Sequence, residues 1–267
     1  VLVVTPRPED ARSLHDQMAT WSDEDTSILH FPATDTLPFE RLMSDLDTSQ
    51  DRLRTLSALT RVDGRAPVVI ASSAALVQKT LTREAFLEGT RSLRVGDKID
   101  LNELLQAWSL LGYQFEPTVA APGFASRRGG ILDVYPIDSP IPARIELWGN
   151  EVESIRLFDP ATQRSNDTLE SIEVIPARES LPGLIGKGRL DRRTSVIDAS
   201  NCTDATRGRI TEELDLLLGG HEVEDLDFYS GLFKHGSLVD YLWPDALLVT
   251  YRPADIAHSA LEVEERS

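Results

Sequence analysis

Short apolar runs alternate with amphipathic stretches over the first 90 residues of the chain. Uninterrupted apolar runs are typical of strands buried in a parallel sheet. The stretches between them space apolar residues three or four positions apart, which predicts helices. The predicted strands are 1–4, 28–31 and 67–71, and the predicted helices are 9–21, 48–59 and 74–78. Alternating strands and helices indicate an α/β layer with a parallel sheet.

The pattern changes near residue 89, where we expect a second unit to begin. Residues 101–112 form a predicted amphipathic helix, and its Trp108 is interpreted as a core residue rather than a binding residue. Short strands separated by Gly and Pro follow, and 172–175 supplies the closing strand. This composition predicts a smaller α+β domain with antiparallel hairpins, inserted after the first unit.

The clearest hairpin joins 144–148 to 151–157 through the turn residues Gly149 and Asn150. Both segments alternate polar and apolar residues, as strands with one buried face do. Ile145 and Leu147 are therefore expected to point into the core. The side chains expected on the outward face are Arg144, Glu146 and Trp148.

The last third of the chain returns to the first pattern. A helix is predicted at 207–218, ended by glycines, and a strand at 247–250 that returns to the first sheet. A helix follows at 253–262. We expect three parts: 1–90, 91–178, and 179–267 packing back on the first.

Charge limits the partners that the chain can have. The formal net charge is -17 and the pI is about 4.7, so the chain should be repelled by DNA at long range. Residues 91–178 are the least acidic part, with nine Lys and Arg against thirteen Asp and Glu. The arginines of the hairpin region are Arg127, Arg128, Arg144 and Arg156. A positive patch on an acidic body steers a partner protein to one face.

Several chemistries find no support in the sequence. One cysteine, Cys202, excludes an internal disulfide framework and a cysteine-based zinc site. The five histidines have no metal-binding spacing, and no nucleophile motif is present. No apolar run is long enough for a membrane span. The segment 183–188 is glycine-rich but lacks the spacing and hydroxyl of a phosphate-binding loop, so a plain loop is expected. We expect a cytoplasmic protein.

A long ordered pattern of residues in the hairpin region resembles the pattern of a known protein family. It consists of Arg-Gly at 128–129, Leu-Asp-Val-Tyr-Pro at 132–136, Arg-Ile-Glu-Leu-Trp at 144–148, and 150–159. The pattern resembles the second domain of UvrB and of the transcription-repair coupling factors, the Mfd family. The resemblance continues at 33–40 and 51–56, which are similar to Mfd, and at 236–245, which is similar to both.

The chain is therefore similar to the N-terminal UvrB-like module of an Mfd. That resemblance implies a degenerate RecA/helicase-like parallel sheet carrying the inserted domain. UvrB hydrolyses ATP, and the strand similar to 246–250 ends there in an Asp-Glu pair. Here Tyr251 and Arg252 stand at those places, and neither can bind magnesium. No cofactor is expected in this segment, whereas ATP and magnesium are expected for the motor domains of the longer protein, an ATP-dependent DNA translocase.

The resemblance also implies a partner and its contact residues. In the family this domain recruits UvrA, and the corresponding residues here are Arg128, Arg144 and Trp148. The aromatic residue is usually Phe, so Trp148 keeps an apolar anchor of different shape. Arg127 and Arg156 are further candidates. The implied partners are UvrA and the C-terminal and motor domains of the same chain, with RNA polymerase and DNA bound through other domains and no membrane.

Two alternatives to UvrA recruitment are open at this stage. The first is a UvrB-type ATPase whose phosphate loop would precede Val1. The second is a purely structural module that clamps neighbouring domains, for which charge reversal at Arg128 and Arg144 would leave UvrA binding unchanged.

Overall fold

The structure is a computed structural model that describes residues 1–23, 26–34, 46–61, 66–185, 187–195, 197–219, 221 and 223–266. Most of the family-like segment 33–40 lies outside the described residues, and so does Gly186 within the glycine-rich segment. None of the described helices combines the length and the apolar character that crossing a membrane requires.

The strands and helices follow the predicted order closely. The strands are β1 (Leu2–Thr5), β2 (Ile28–Phe31), β3 (Val68–Ser72), β4 (Arg91–Arg94), β5 (Gln114–Phe115), β6 (Phe124–Arg128), β7 (Ile131–Val134), β8 (Ala143–Trp148), β9 (Glu151–Phe158), β10 (Ser165–Leu169), β11 (Ser171–Val174) and β12 (Leu248–Thr250). The helices are α1 (Pro8–Trp21), α2 (Leu46–Thr60), α3 (Ser73–Val77), α4 (Arg83–Gly89), α5 (Leu101–Leu110), α6 (Lys187–Thr194), α7 (Asp204–Leu218), α8 (Ser230–Phe233) and α9 (Pro253–Arg266).

The predicted parallel sheet is confirmed. Its strand order is β12-β1-β3-β2, and every neighbouring pair is parallel. Leu2 pairs with Val69 on one side and with Leu248 on the other, so the last strand returns to the first sheet as predicted. Phe31 and Leu53 are fully buried in the core beneath this sheet. Burial on both faces explains why the inner strands β1 and β3 are apolar except for the last residue of each.

The antiparallel hairpins are confirmed as well. A second sheet has the order β10-β9-β8-β7-β6-β5, antiparallel except where β5 meets β6, and β4 pairs with β11 in a small separate sheet. Helix α5 covers the inner face, and its Trp108 is fully buried, as expected. The helix ends at Leu110, before the predicted 112, because Gly112 takes a φ of 87°.

A buried ionic cluster joins three distant parts of the chain. The Glu179 carboxylate accepts hydrogen bonds from Arg52 Nε of α2 at 2.7 Å and from the Thr80 hydroxyl at 3.1 Å. Lys234 Nζ, after α8, lies 3.2 Å from its other oxygen. Burial alone would raise the pKa of Glu179, but the charges of Arg52 and Lys234 outweigh burial and hold the pKa below its ordinary value.

Gly236 makes one of the closest backbone contacts in the fold. Its N–H and C=O both bond to Thr80, and an added Cβ would lie 2.3 Å from the carbonyl oxygen of Leu81. We therefore expect Gly236→Ala to lower the free energy of unfolding by about 1–3 kcal/mol, because backbone atoms must move apart. Urea unfolding measures this change.

Gly231 of α8 offers a matched control for that substitution. An added Cβ at Gly231 would have nothing within 4 Å, and the residue is helical. Gly231→Ala should raise the free energy of unfolding by about 0.4–1 kcal/mol, because alanine loses less backbone freedom on folding. Equal changes in the free energy of unfolding for Gly236→Ala and Gly231→Ala would contradict the close contact between Gly236 and Leu81.

Candidate protein-interaction site

The outward face of the six-stranded sheet carries most of the candidate residues. Asp133 of β7 pairs with Arg144 of β8, and Arg144 pairs with Arg156 of β9. Residues paired across strands point to the same side of a sheet, so these three side chains form one row. Their neighbours Leu132 and Ile145 point to the opposite side and are fully buried. The polar and apolar alternation predicted from sequence is confirmed.

Two hairpin turns place Arg128 and Trp148 at the same end of this face. Gly129 and Gly149 adopt φ values of 65° and 64°, the left-handed region that glycine enters at little cost. The amide of Leu147 donates to the carbonyl of Gly130 at 2.8 Å, so the two turns lie side by side. Arg128 and Trp148 are separated by two strand spacings across the sheet and by two residues along the strand. The distance between their backbone positions is therefore roughly 12 Å. One partner surface can contact both.

Asp133 is the centre of the polar network on this face. Its side chain is 2% exposed, and its carboxylate takes a bidentate pair from Arg144, with Nε at 2.7 Å and Nη2 at 2.9 Å. Arg128 Nη2 donates to the same carboxylate at 2.6 Å. A buried carboxylate is stable when its charge and lone pairs are satisfied in this way.

Arg144 is held on several sides. Its guanidinium lies over the ring of Phe158 at 4.7 Å, and its Nη2 is 3.3 Å from the side-chain oxygen of Gln163. The hydrogen bonds to Asp133 raise the pKa of Arg144 above its ordinary value. Only 14% of the side chain is exposed. The candidate arginine of β8 is therefore mostly committed to contacts within the chain.

Arg128 is more accessible to a partner protein than Arg144 is. Its side chain is 53% exposed, and within the described part of the chain its hydrogen bonding is limited to Asp133. A guanidinium has five N–H donors, so most of them remain directed to solvent. Arg128 can bind a carboxylate on another protein without leaving Asp133.

Trp148 is the most exposed aromatic side chain on this face, at 80%. It ends β8 and pairs with Glu151 across the Gly149-Asn150 turn. The hairpin connection has glycine first, as the type II′ turn requires. An exposed Trp at a rigid hairpin end is the kind of side chain that becomes an anchor when a partner covers it.

The two remaining candidates occupy different positions. Arg156 shares the outward face, is 45% exposed, and lies 3.5 Å from Glu146, which also accepts from the Ser154 hydroxyl at 2.6 Å. Arg127 pairs with the buried Leu132 and so points to the opposite side of β6 from Arg128. The structure thus brings Arg128, Arg144, Trp148 and Arg156 together and leaves Arg127 outside the group.

Three residues of this face were missed by sequence reasoning: Asp133, Phe158 and Gln163. Asp133 carried a signal, because it is a charged residue inside the apolar strand 131–135. Gln163 follows a tight turn and takes a φ of 60°. With Asp133, Glu146 and Glu151 set against the arginines at 128, 144 and 156, the charges of these residues balance, so the face is not a strongly basic surface.

The residues considered for an ATPase lie elsewhere. Tyr251 and Arg252 follow β12 at the carboxyl end of the parallel sheet, the edge where such sheets bind ligands. Arg252 is ion-paired with Asp10 at 3.2 Å and with Asp255 at 3.1 Å. At this edge the guanidinium of Arg252 is therefore neutralised by two carboxylates of the same chain.

Comparison with known proteins connects the outward face to a family. Residues 92–179 match the UvrB interaction domain, a range that contains every strand of the six-stranded sheet. The chain is 30% identical over 259 residues to the transcription-repair-coupling factor of Bacillus subtilis, covering 93% of this chain and 22% of the relative. It is 31% identical over 234 residues to that of Myxococcus xanthus, covering 84% and 19%.

A third relative, the transcription-repair-coupling factor of Staphylococcus haemolyticus, is 33% identical over 180 residues, or 67% of this chain. The chain spans about a fifth of the length of the relatives it matches most extensively. The similarity extends well beyond the interaction domain into the parallel sheet. The chain is therefore a relative of the transcription-repair-coupling factors that carries a UvrB interaction domain.

Proposed function

We propose that this chain is a non-catalytic interaction module that recruits UvrA and so links stalled RNA polymerase to nucleotide excision repair. The observation that carries the proposal is the outward face of residues 92–179, which presents a half-exposed Arg128 and an exposed Trp148 within a UvrB interaction domain. An arginine beside an aromatic anchor is typical of the energetic centre of a protein interface.

The rest of the chain supports this role as a scaffold. Four parallel strands with helices are compatible with a degenerate RecA/helicase-like domain that has lost its nucleotide chemistry, and the Arg252 ion pairs favour that interpretation. We infer that translocation on DNA and binding of RNA polymerase belong to other parts of a longer protein, as the family resemblance implies. The net charge of -17 argues against DNA binding by this segment alone.

Charge reversal at one exposed arginine tests the proposal. Arg128→Glu should weaken binding to UvrA by about tenfold or more, equivalent to roughly 1.4 kcal/mol, because it places a carboxylate where the partner presents one. Asp133 keeps its bidentate pair with Arg144, so the fold should survive. Calorimetric titration measures the affinity, and urea unfolding verifies stability.

Arg127→Glu provides the matched control. It makes the same charge change one residue away, on the opposite side of the strand. Its UvrA affinity should stay within about threefold of the unmodified chain, which is the size of a long-range charge effect. Equal losses in both variants would indicate general repulsion instead of a specific face, and no loss in either would favour a structural clamp.

A further inference from the structure

Asp133 is the least expected residue of the outward face. It is a 2% exposed carboxylate on β7, and Arg128 and Arg144 both donate to it. Burying a carboxylate is strongly unfavourable unless its charge is paired. Replacing a whole buried ion pair by apolar residues is often neutral for stability, so the pair of Asp133 and Arg144 points to a role beyond stability.

The arrangement around Arg144 makes that arginine a fixed counter-ion. The bidentate pair fixes the plane of the guanidinium, and Phe158 supports one side of it. The side-chain and main-chain oxygens of Gln163 lie 3.3 and 3.4 Å from the same group. Arg144 cannot turn toward a partner without exposing the charge of Asp133.

The arrangement around Arg128 has the opposite character. This side chain is 53% exposed, and among the described residues its hydrogen bond is to Asp133 Oδ2 at 2.6 Å. A free surface arginine samples many rotamers, and ordering it on binding costs affinity. The bond to Asp133 restricts those rotamers beforehand and leaves the remaining donors toward solvent.

We propose that Asp133 is a positioning residue for partner binding. Held in place by Arg144, its carboxylate pre-orders Arg128 so that the free donors of Arg128 receive an acidic side chain of the partner beside Trp148. The inference rests on the proposed recruitment of UvrA. It gives Arg144 the role of a brace, which differs from the direct contact that the family resemblance implies.

A double-mutant cycle in the 267-residue chain tests this role. The proteins are the unmodified chain, Asp133→Asn, Arg128→Gln and the double variant, each titrated with UvrA by calorimetry. Asp133→Asn alone should weaken binding about fivefold or more, whereas in the Arg128→Gln background it should change binding less than about twofold, because no arginine remains to be positioned. A merely structural role would give equal losses in both backgrounds.

Unfolding of each protein in urea accompanies the titrations. If Asp133→Asn proves unstable, Asp133→Glu replaces it in the cycle, because glutamate keeps a counter-charge for Arg144 and moves the carboxylate away from the position that orders Arg128. Equal losses with and without Arg128 overturn the role of Asp133 while leaving UvrA recruitment intact. Failure of the folded, unmodified chain to bind UvrA overturns both.

Discussion

Glu179→Gln is expected to lower the free energy of unfolding by about 3–5 kcal/mol, because it removes one partner from a buried ionic cluster. The Glu179 side chain is 4% exposed, and the Arg52 side chain is 0% exposed. Glutamine can still accept hydrogen bonds from Arg52 and Thr80, but it removes the counter-charge of the fully buried Arg52 guanidinium and leaves Lys234 with the Asp227 carboxylate 4.0 Å away. The desolvated charge of Arg52 accounts for most of the expected loss.

Urea unfolding at neutral pH measures this effect, and Glu173→Gln is the matched control. Glu173 is 53% exposed and lies 4.0 Å from Arg61, so removing its charge should change stability by less than about 1 kcal/mol. Indistinguishable unfolding curves for Glu179→Gln and the unmodified chain would show that the buried cluster contributes nothing to the fold.

The buried cluster around Glu179 also predicts how the difference in stability between the unmodified chain and Glu179→Gln depends on pH. The pKa of Glu179 is lowered in the folded chain from an ordinary value of 4.5. The stabilisation from this carboxylate is therefore fully present above that value and is lost as the pH falls through the folded pKa. The stability gap between the unmodified chain and Glu179→Gln should narrow in acid, and a gap that widens there would contradict the assignment.

Trp148→Ala is expected to weaken binding of UvrA by at least about 30-fold, the equivalent of roughly 2 kcal/mol for a central aromatic anchor. Because the side chain is 80% exposed, its loss should leave the free energy of unfolding within about 0.5 kcal/mol of the unmodified chain. Loss of affinity without loss of stability is the signature of a contact residue. Calorimetric titration and urea unfolding on the same samples separate the two.

Trp21→Ala is the control that the chain itself offers for this experiment. Trp21 is 87% exposed, but it ends α1 beside the parallel sheet, in a different element from the hairpins. Its removal should leave UvrA affinity unchanged. A loss of affinity at Trp21 equal to that at Trp148 would place the contact surface elsewhere or show that binding follows general hydrophobicity.

The sequence predicted the parallel sheet and the hairpin face because both depend on local periodicity. Alternation around Ile145 identified the outward side chains correctly, and the run at 247–250 was correctly returned to the first sheet. Although the short helix at 74–78 and the strand at 28–31 were predicted, some short elements were missed, because they span too few residues for a period to develop. Helix α4 is one example, seven residues long and started by the Thr82 hydroxyl cap on Ala85.

The networks of the site could not be predicted for a different reason. Asp133 and Arg144 are eleven residues apart, and their contact depends on the register of β7 against β8. Glu179 and Arg52 are 127 residues apart, and their contact depends on how helix α2 packs against the segment that follows β11. Sequence reasoning treated the arginines as free cations, whereas the structure gives two of them a shared internal carboxylate. Pairing of this kind appears only when the strand register is known.

Calorimetric titration of the 267-residue chain with UvrA tests the central claim most directly, with the double variant Arg128→Glu/Trp148→Ala measured beside it. The account predicts saturable binding by the unmodified chain, and no measurable binding by a double variant whose unfolding curve is unchanged. Absence of binding by the folded, unmodified chain, or equal binding by the double variant, would contradict recruitment through this face.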